Sequence, residues 1–404
     1  MFSTLVIGGG LFGSAALRYL SAQATDVALI GSAEPVDWAD HQGVFASHYD
    51  NGRLCSMFGT DAAWTQIHRA SIGQYETIEA QSGVRFYTPS GRFNITKDGG
   101  RKIGEYSGND NGLIRTFTAE TFPTDLPISI PSDRIVYWED APSGYINPRA
   151  LVEAQLTVAA SQGAQIIRQT VTDVMDRGSH VEVKTMEGES FSAEKLLLTT
   201  GAFTNHLNLL ERKVAIRAKS ETTILAEVSQ AEAERFQHLP GVGYDIDDPE
   251  IHGIYLVPPL LYPDGNYYLK MGFDTPSDLL NPSLDTIRGW FAGDNVDAHK
   301  TAARNALQTL FPDLQVIAWH MKPCIVCYTP SRKPIIDALV PERIYLAAAG
   351  NGTGAGPSDA IGHLAADLVL NGQWTSDLDH TPFQARYMDE QHDWYHAPLT
   401  IFPR

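Results

Sequence analysis

Cys324 and Cys327 stand in C-x-x-C spacing inside KPCIVCYTPSRKPIID, residues 322–337. That spacing suggests a metal site or a redox dithiol, and a buried cysteine is more often simply a small apolar side chain. A four-cysteine zinc site is excluded, because Cys55 is the one other cysteine in the chain. A redox C-x-x-C follows a strand at the start of a helix, whereas CIVCYTP reads as extended chain entering a turn. Lys270 lies in NYYLKMGFD, residues 266–274. Strand alternation puts Tyr268, Lys270, Gly272 and Asp274 on one face and Leu269, Met271 and Phe273 on the other. By itself Lys270 reads as a lysine on the wet face of a sheet. The stretch ASHYDNGRL, residues 46–54, carries His48 and Arg53. A loop histidine is usually solvated, while a guanidinium there suits an anion.

The element that would give these side chains something to act on is at the N-terminus. In TLVIGGGLFGSAALRYLSAQATDVALIG, Gly8, Gly10 and Gly13 form G-x-G-x-x-G between a short apolar strand and a helix-spaced run, and VALI follows as a second strand. This context identifies a dinucleotide site. Gly8 allows the tight turn, Gly10 admits a pyrophosphate, and Gly13 lets the helix pack on the sheet. The helix N-terminus then faces the anion. The acidic residue expected at the end of the second strand falls at Gly31, which leaves Glu34 as the nearest carboxylate for the ribose. Near the other end, RIYLAAAGNGTGAGPSDAIGHLAADLVLNG reads as strand, glycine loop and helix. A nicotinamide dehydrogenase rarely returns to the nucleotide domain in this way. A flavoprotein does, because FAD must be held at its ring end as well as at its pyrophosphate.

A chain of 404 residues has room for two domains. The expected fold is α/β (α+β two-domain), a Rossmann-like FAD-binding domain with an inserted, mostly antiparallel sheet for the substrate. The first would comprise residues 1–80, 145–213 and 320–404, the second 81–144 and 214–319. Asn147 reads as an N-cap with Pro148 at the first helical position, and Gly163 ends that helix. A turn-rich connection is expected within 106–113. A net charge of −18 argues against nucleic acid and anionic membranes as partners. No apolar run approaches the roughly 18 residues of a membrane span. The first residues enter a strand directly, without the pattern of a signal peptide, so a cytoplasmic location is expected.

With these motifs in view, the whole chain resembles the FAD-dependent amine and amino-acid oxidases, above all the sarcosine and N-methyltryptophan oxidase branch. That branch has Cys-x-x-x-x-Thr-x-x-x-x-x-Ile-Ile-Asp, which Cys324, Thr329, Ile335, Ile336 and Asp337 match without a gap. The resemblance implies FAD bound covalently through Cys324. LKMG, residues 269–272, matches a Leu-Lys-Leu-Gly segment whose lysine activates oxygen, which implies that role for Lys270. Ser47, His48 and Arg53 match a Ser-His-His-Gly-Asp-Thr-Arg segment beside the flavin ring, with Tyr49 in place of the second histidine. The resemblance also implies cofactor contacts at Val171, Gly201, Gly350, Gly352, Gly354, Gly356 and Ser358. The helix starting near Ser358 would aim its positive end at the flavin's pyrimidine edge.

The pattern breaks where the branch clamps a substrate carboxylate. Ser56 replaces an arginine, Pro357 or a gap replaces a lysine, and Asp274 replaces a histidine. The expected substrate is therefore a small amine without a carboxylate at that place, or with one held by another cation, Arg92 or Arg332. Asp274 either recognises a positive group or simply ends a strand. The expected reaction is hydride transfer from the carbon beside an amine nitrogen to flavin, giving an imine and then hydrogen peroxide from O2. The expected enzyme works as a monomer without a metal. The alternatives are a dehydrogenase serving another electron acceptor and a nucleotide-binding protein without turnover.

Overall fold

The apolar runs Leu5–Ile7, Val27–Ile30 and Leu196–Leu198 have no polar interruption, as strands covered on both faces require. In the computed structural model, which describes residues 1–38, 40–97, 112–293 and 295–397, these runs lie side by side and parallel. Strand Phe2–Ile7 sits between Ser190–Leu198 and Val27–Ile30. Gln165–Ile167 is the parallel strand at one edge and Ile344–Ala348 pairs parallel with Ser190–Leu198, beyond which antiparallel strands complete an eight-stranded sheet. Alternation sends Val6, Leu29 and Leu197 into one core and Leu5, Ile7, Ala28 and Ile30 into another. Helices Leu11–Ser21, Ala62–Ser82, Pro148–Ser161 and Ser358–Asn371 pack in the first of these. The crossing of the first and last is tight, since a Cβ on Gly362 would lie 2.4 Å from that of Ala15. Asn147 caps its helix as the sequence suggests, its Oδ1 accepting from the Ala150 N–H at 3.2 Å.

A second eight-stranded sheet is antiparallel except where Gly241–Tyr244 runs parallel to Arg92–Lys97. One face packs on helices Gln230–Phe236 and Lys300–Leu310. The sheet also takes in Ala318–Tyr328, paired along its whole length with Arg217–Val228. The boundary expected at residue 320 would have divided that strand. Its pairing partner lies about a hundred residues away, which periodicity cannot reveal. A small third sheet joins Arg53–Cys55, Gly144–Ile146 and Tyr87–Thr88. The turn-rich stretch 106–113 lies largely outside the described residues. No described helix is long and apolar enough to cross a membrane.

Candidate functional site

A cavity of about 390 Å³ lies between the first sheet's glycine loop and the second sheet, a size usual for small-molecule and cofactor sites. Gly8 to Gly10 form part of its floor at the start of helix Leu11–Ser21. Gly8 has φ +108°, and a Cβ there would come within 2.5 Å of the Thr199 carbonyl oxygen. Gly13 stands behind the loop, where a Cβ would come within 2.0 Å of the Gly8 carbonyl oxygen. Gly31, at the place of the expected acid, is pressed against Gly9, and a Cβ there would lie 2.5 Å from the Gly9 nitrogen. Glu34 is not on the cavity wall. It forms a two-pronged ion pair with Arg149, at 2.8 and 2.6 Å.

Of the residues expected around a cofactor, Ser47, His48, Arg53, Val171, Gly201, Cys324, Gly350, Gly352 and Gly354 line the cavity with Gly8 and Gly10. Gly356 and Ser358 do not. Gly356 packs on the strand that carries Arg53, where a Cβ would sit 3.2 Å from the Cys55 Cα. Ser358 is buried in the first turn of its helix, next to Asp359, which Arg18, Tyr19 and Gln155 hold at 2.8 to 2.9 Å. His48 Nδ1 is buried without a partner and would lie 3.9 Å from a Cβ on Gly10. Burial first, then Arg149 and Arg168, lower its pKa to about 3, so the imidazole is neutral. The cradle that excludes a Cβ and the orphaned imidazole beside it both fit a pyrophosphate-bearing cofactor.

The other wall comes from the second sheet. Glu221 pairs in register with Cys324, and Thr223, Gly272, Tyr255, Gly243 and Asn94 form the adjacent row. Gly272 is required there, because a Cβ would lie 2.1 Å from the Tyr255 ring laid across it. Cys324 is half-buried, and Arg53 Nη2 donates to its sulfur at 3.8 Å. Cys327 is buried, and burial with the neighbouring Cys324 pushes its thiol up to about 12, so it stays protonated. The three cysteines form no disulfide, and among the described residues no His, Cys, Asp and Glu cluster suits a metal ion.

Lys270 and Asp274 share this face of the sheet, yet neither lines the cavity. Lys270 is 1% exposed, and its ammonium pairs with Asp50 and donates to the Gly52 carbonyl at 2.9 Å. It lies 5.0 Å from the centre of the Tyr255 ring, which does line the cavity. Asp274 is held by Lys219 at 2.6 Å, and Lys219 also binds Asp278 at 2.7 Å. An aspartate so paired anchors one end of the strand. Arg332 is not on the wall, whereas Arg92 is.

Sequence reasoning missed Asp50, Glu221, His68 and Tyr255. Asp50 binds Lys270 and Arg53 and accepts from the Tyr262 hydroxyl at 2.8 Å. Alternation in SETTIL, residues 220–225, could have set Glu221 on the face that carries Lys219 and Thr223. Nothing in the sequence signals the other three.

A sequence model of the family described as FAD dependent oxidoreductase matches residues 3–368. The chain is 25% identical to monomeric sarcosine oxidase of Bacillus sp. (strain NS-129), over 93% of this chain and 95% of that one. It is 24% identical to N-methyl-L-tryptophan oxidase of Yersinia pestis (strain Pestoides F), over 90% and 94%. Among solved structures, NikD, an amino acid oxidase of nikkomycin biosynthesis, superposes with a TM-score of 0.75 at 16% identity, over 96% and 98% of the two chains. Amadoriase I of Aspergillus fumigatus, a fructosyl amine:oxygen oxidoreductase, gives 0.74 at 17% identity, over 97% and 91%.

Proposed function

The chain belongs to the family of FAD-dependent oxidoreductases, and from that premise we propose that it is an oxidase of amines or amino-acid derivatives. The observation that carries this reading is the meeting, in one cavity, of the Gly8–Gly10 cradle with Cys324 and Arg53. Bound there, FAD would supply the two-electron chemistry that converts an amine to an imine, for hydrolysis in water, and O2 to hydrogen peroxide.

The chain's own residues orient and charge the site. Gly8, Gly9 and Gly10 open the helix N-terminus to the pyrophosphate, and neutral His48 offers a hydrogen bond beside it. Cys324 would be the thiol that holds the flavin covalently, and its half-buried position on the cavity wall supports this. Arg53, held by Asp50 and by the carbonyls of Ser47 and Gly52, supplies a fixed positive charge where negative charge gathers on reduction. Lys270 supplies a second from behind Tyr255. The substrate end is walled by Phe58, Trp64 and Tyr255, which limit water. The similarity to a relative named as monomeric supports a single chain as the working unit.

One observation favours a second reading, transfer of electrons to an acceptor other than O2. The Asp50 carboxylate partly offsets the Lys270 charge on which oxygen activation would depend.

Anaerobic mixing of the purified protein with a panel of primary and secondary amines tests the proposal. At least one should bleach the flavin, and admitting O2 should restore the colour with one peroxide per flavin. Bleaching with slow recovery in O2 but fast recovery with a dye would select the second reading. A flavin that no amine reduces would remove both.

A further inference from the structure

We propose that Arg92 and His68 form a subsite for a singly charged anionic group of the substrate, a carboxylate in the first instance. The inference rests on the amine-oxidase reading above and names the substrate class of that site. Arg92 opens strand Arg92–Lys97 of the second sheet, and His68 lies in helix Ala62–Ser82, and both line the cavity. The Nε of Arg92 and the Nδ1 of His68 are buried and have no hydrogen-bond partner. His68 as a whole is 7% exposed. Buried polar atoms in folded proteins are nearly always paired, so two orphans on one cavity wall point to a ligand.

The surroundings leave those two atoms without a protein partner. Glu139 stands opposite Arg92 in the strand register and feels its charge, without a direct ion pair between them. The Glu139 carboxylate is already engaged by the Met57 N–H at 2.6 Å, by the Ser56 hydroxyl at 2.8 Å and by Ser143. It leaves the guanidinium N–H groups unused, and burial shifts the Glu139 carboxyl toward its neutral form. Gly243 makes the room: a Cβ there would lie 2.9 Å from Asn94 Oδ1 and 3.2 Å from Arg92 Nη2. Ser56, at the place where the resembling branch has its arginine, gives its hydroxyl to Glu139 and to the Phe58 carbonyl. The anion receptor is thus supplied by a different strand.

The charge balance sets the ligand class. Burial first, and then Arg92, lower the His68 pKa to about 4, so the imidazole adds a hydrogen bond and no charge. One guanidinium matches one negative charge. A phosphate dianion would leave a net buried charge, which is costly.

The test uses the flavin-loaded protein with acetate, propionate and 2-furoate, each against its neutral amide, titrated by flavin difference absorbance and by calorimetry. Each acid should bind the native protein more tightly than its amide. Arg92→Met should weaken the acids roughly 30-fold or more and leave the amides unchanged, since loss of one member of a desolvated charge pair has about that effect. Arg92→Lys should recover part of the loss, and His68→Gln should show a smaller one. Acids that bind no better than amides would overturn the subsite. So would unchanged acid affinity in Arg92→Lys and His68→Gln with native melting temperatures, should Arg92→Met not fold. Arg92-dependent acid binding to a flavin that no amine reduces would refute the oxidase reading and keep the subsite. Amine turnover indifferent to Arg92 would do the reverse.

Discussion

Lys270 reaches from the second sheet into the 46–54 loop and pairs its buried ammonium with the carboxylate of Asp50. The two residues are 220 positions apart, and their contact ties the sheet to the loop that carries Arg53. Asp50 lies between the two cations, so that neither is buried alone. Replacing Asp50 would take this partner from both cations, at a cost of roughly 3–5 kcal/mol, whereas loss of either cation leaves Asp50 the other.

Under the proposed oxidase reading, Lys270 should bear on the reaction with oxygen more than on the amine. Lys270→Met should slow reoxidation of the reduced flavin by roughly a hundredfold, as for loss of one preorganised charge. Anaerobic reduction by the amine should change only a few-fold. Stopped-flow measurement of the two half-reactions separates them. Equal slowing of both halves would show that Lys270 supports the site's shape instead.

The buried neutral histidine gives a pH dependence of definite sign. His68 has a folded pKa of about 4, below the value near 6.5 of an unfolded chain. Below 6.5 the unfolded state takes up a proton that the folded state refuses, so stability falls with pH across the window from 6.5 to about 4. At pH 5 the loss from His68 alone is about 2 kcal/mol. His68→Gln should flatten melting temperature against pH in that window. An unchanged slope would mean that His68 titrates normally.

The glycine cradle makes a prediction independent of catalysis. Gly13→Ala would drive a Cβ into the Gly8 carbonyl, which is backbone and cannot step aside. The variant should be purified with little flavin, read as the ratio of 450 to 280 nm absorbance, and with a lowered melting temperature. Gly73→Ala, where a Cβ meets nothing within 4 Å, should keep its full flavin content.

Much of the fold was legible in the sequence because its signals are local. The glycine spacing at 8, 10 and 13, the cap at Asn147 and the alternation in 267–274 each depend on a few neighbouring residues. The candidate site was legible only in part, because its charges are balanced across long separations. Lys270 meets Asp50, Asp274 meets Lys219, and Arg92 faces Glu139, and no period in the chain encodes such pairs. Gly31 teaches the same lesson. The missing acid looked like a departure from pattern, and it is a steric requirement of the neighbouring Gly9 backbone.

The account turns on a flavin joined to Cys324. Precipitating the purified protein with acid and washing the pellet tests this directly. The yellow colour should stay with the native protein's pellet and pass into the supernatant from Cys324→Ser. Colour that washes away from the native protein would contradict the attachment, and a protein that holds no flavin at all would contradict the whole reading.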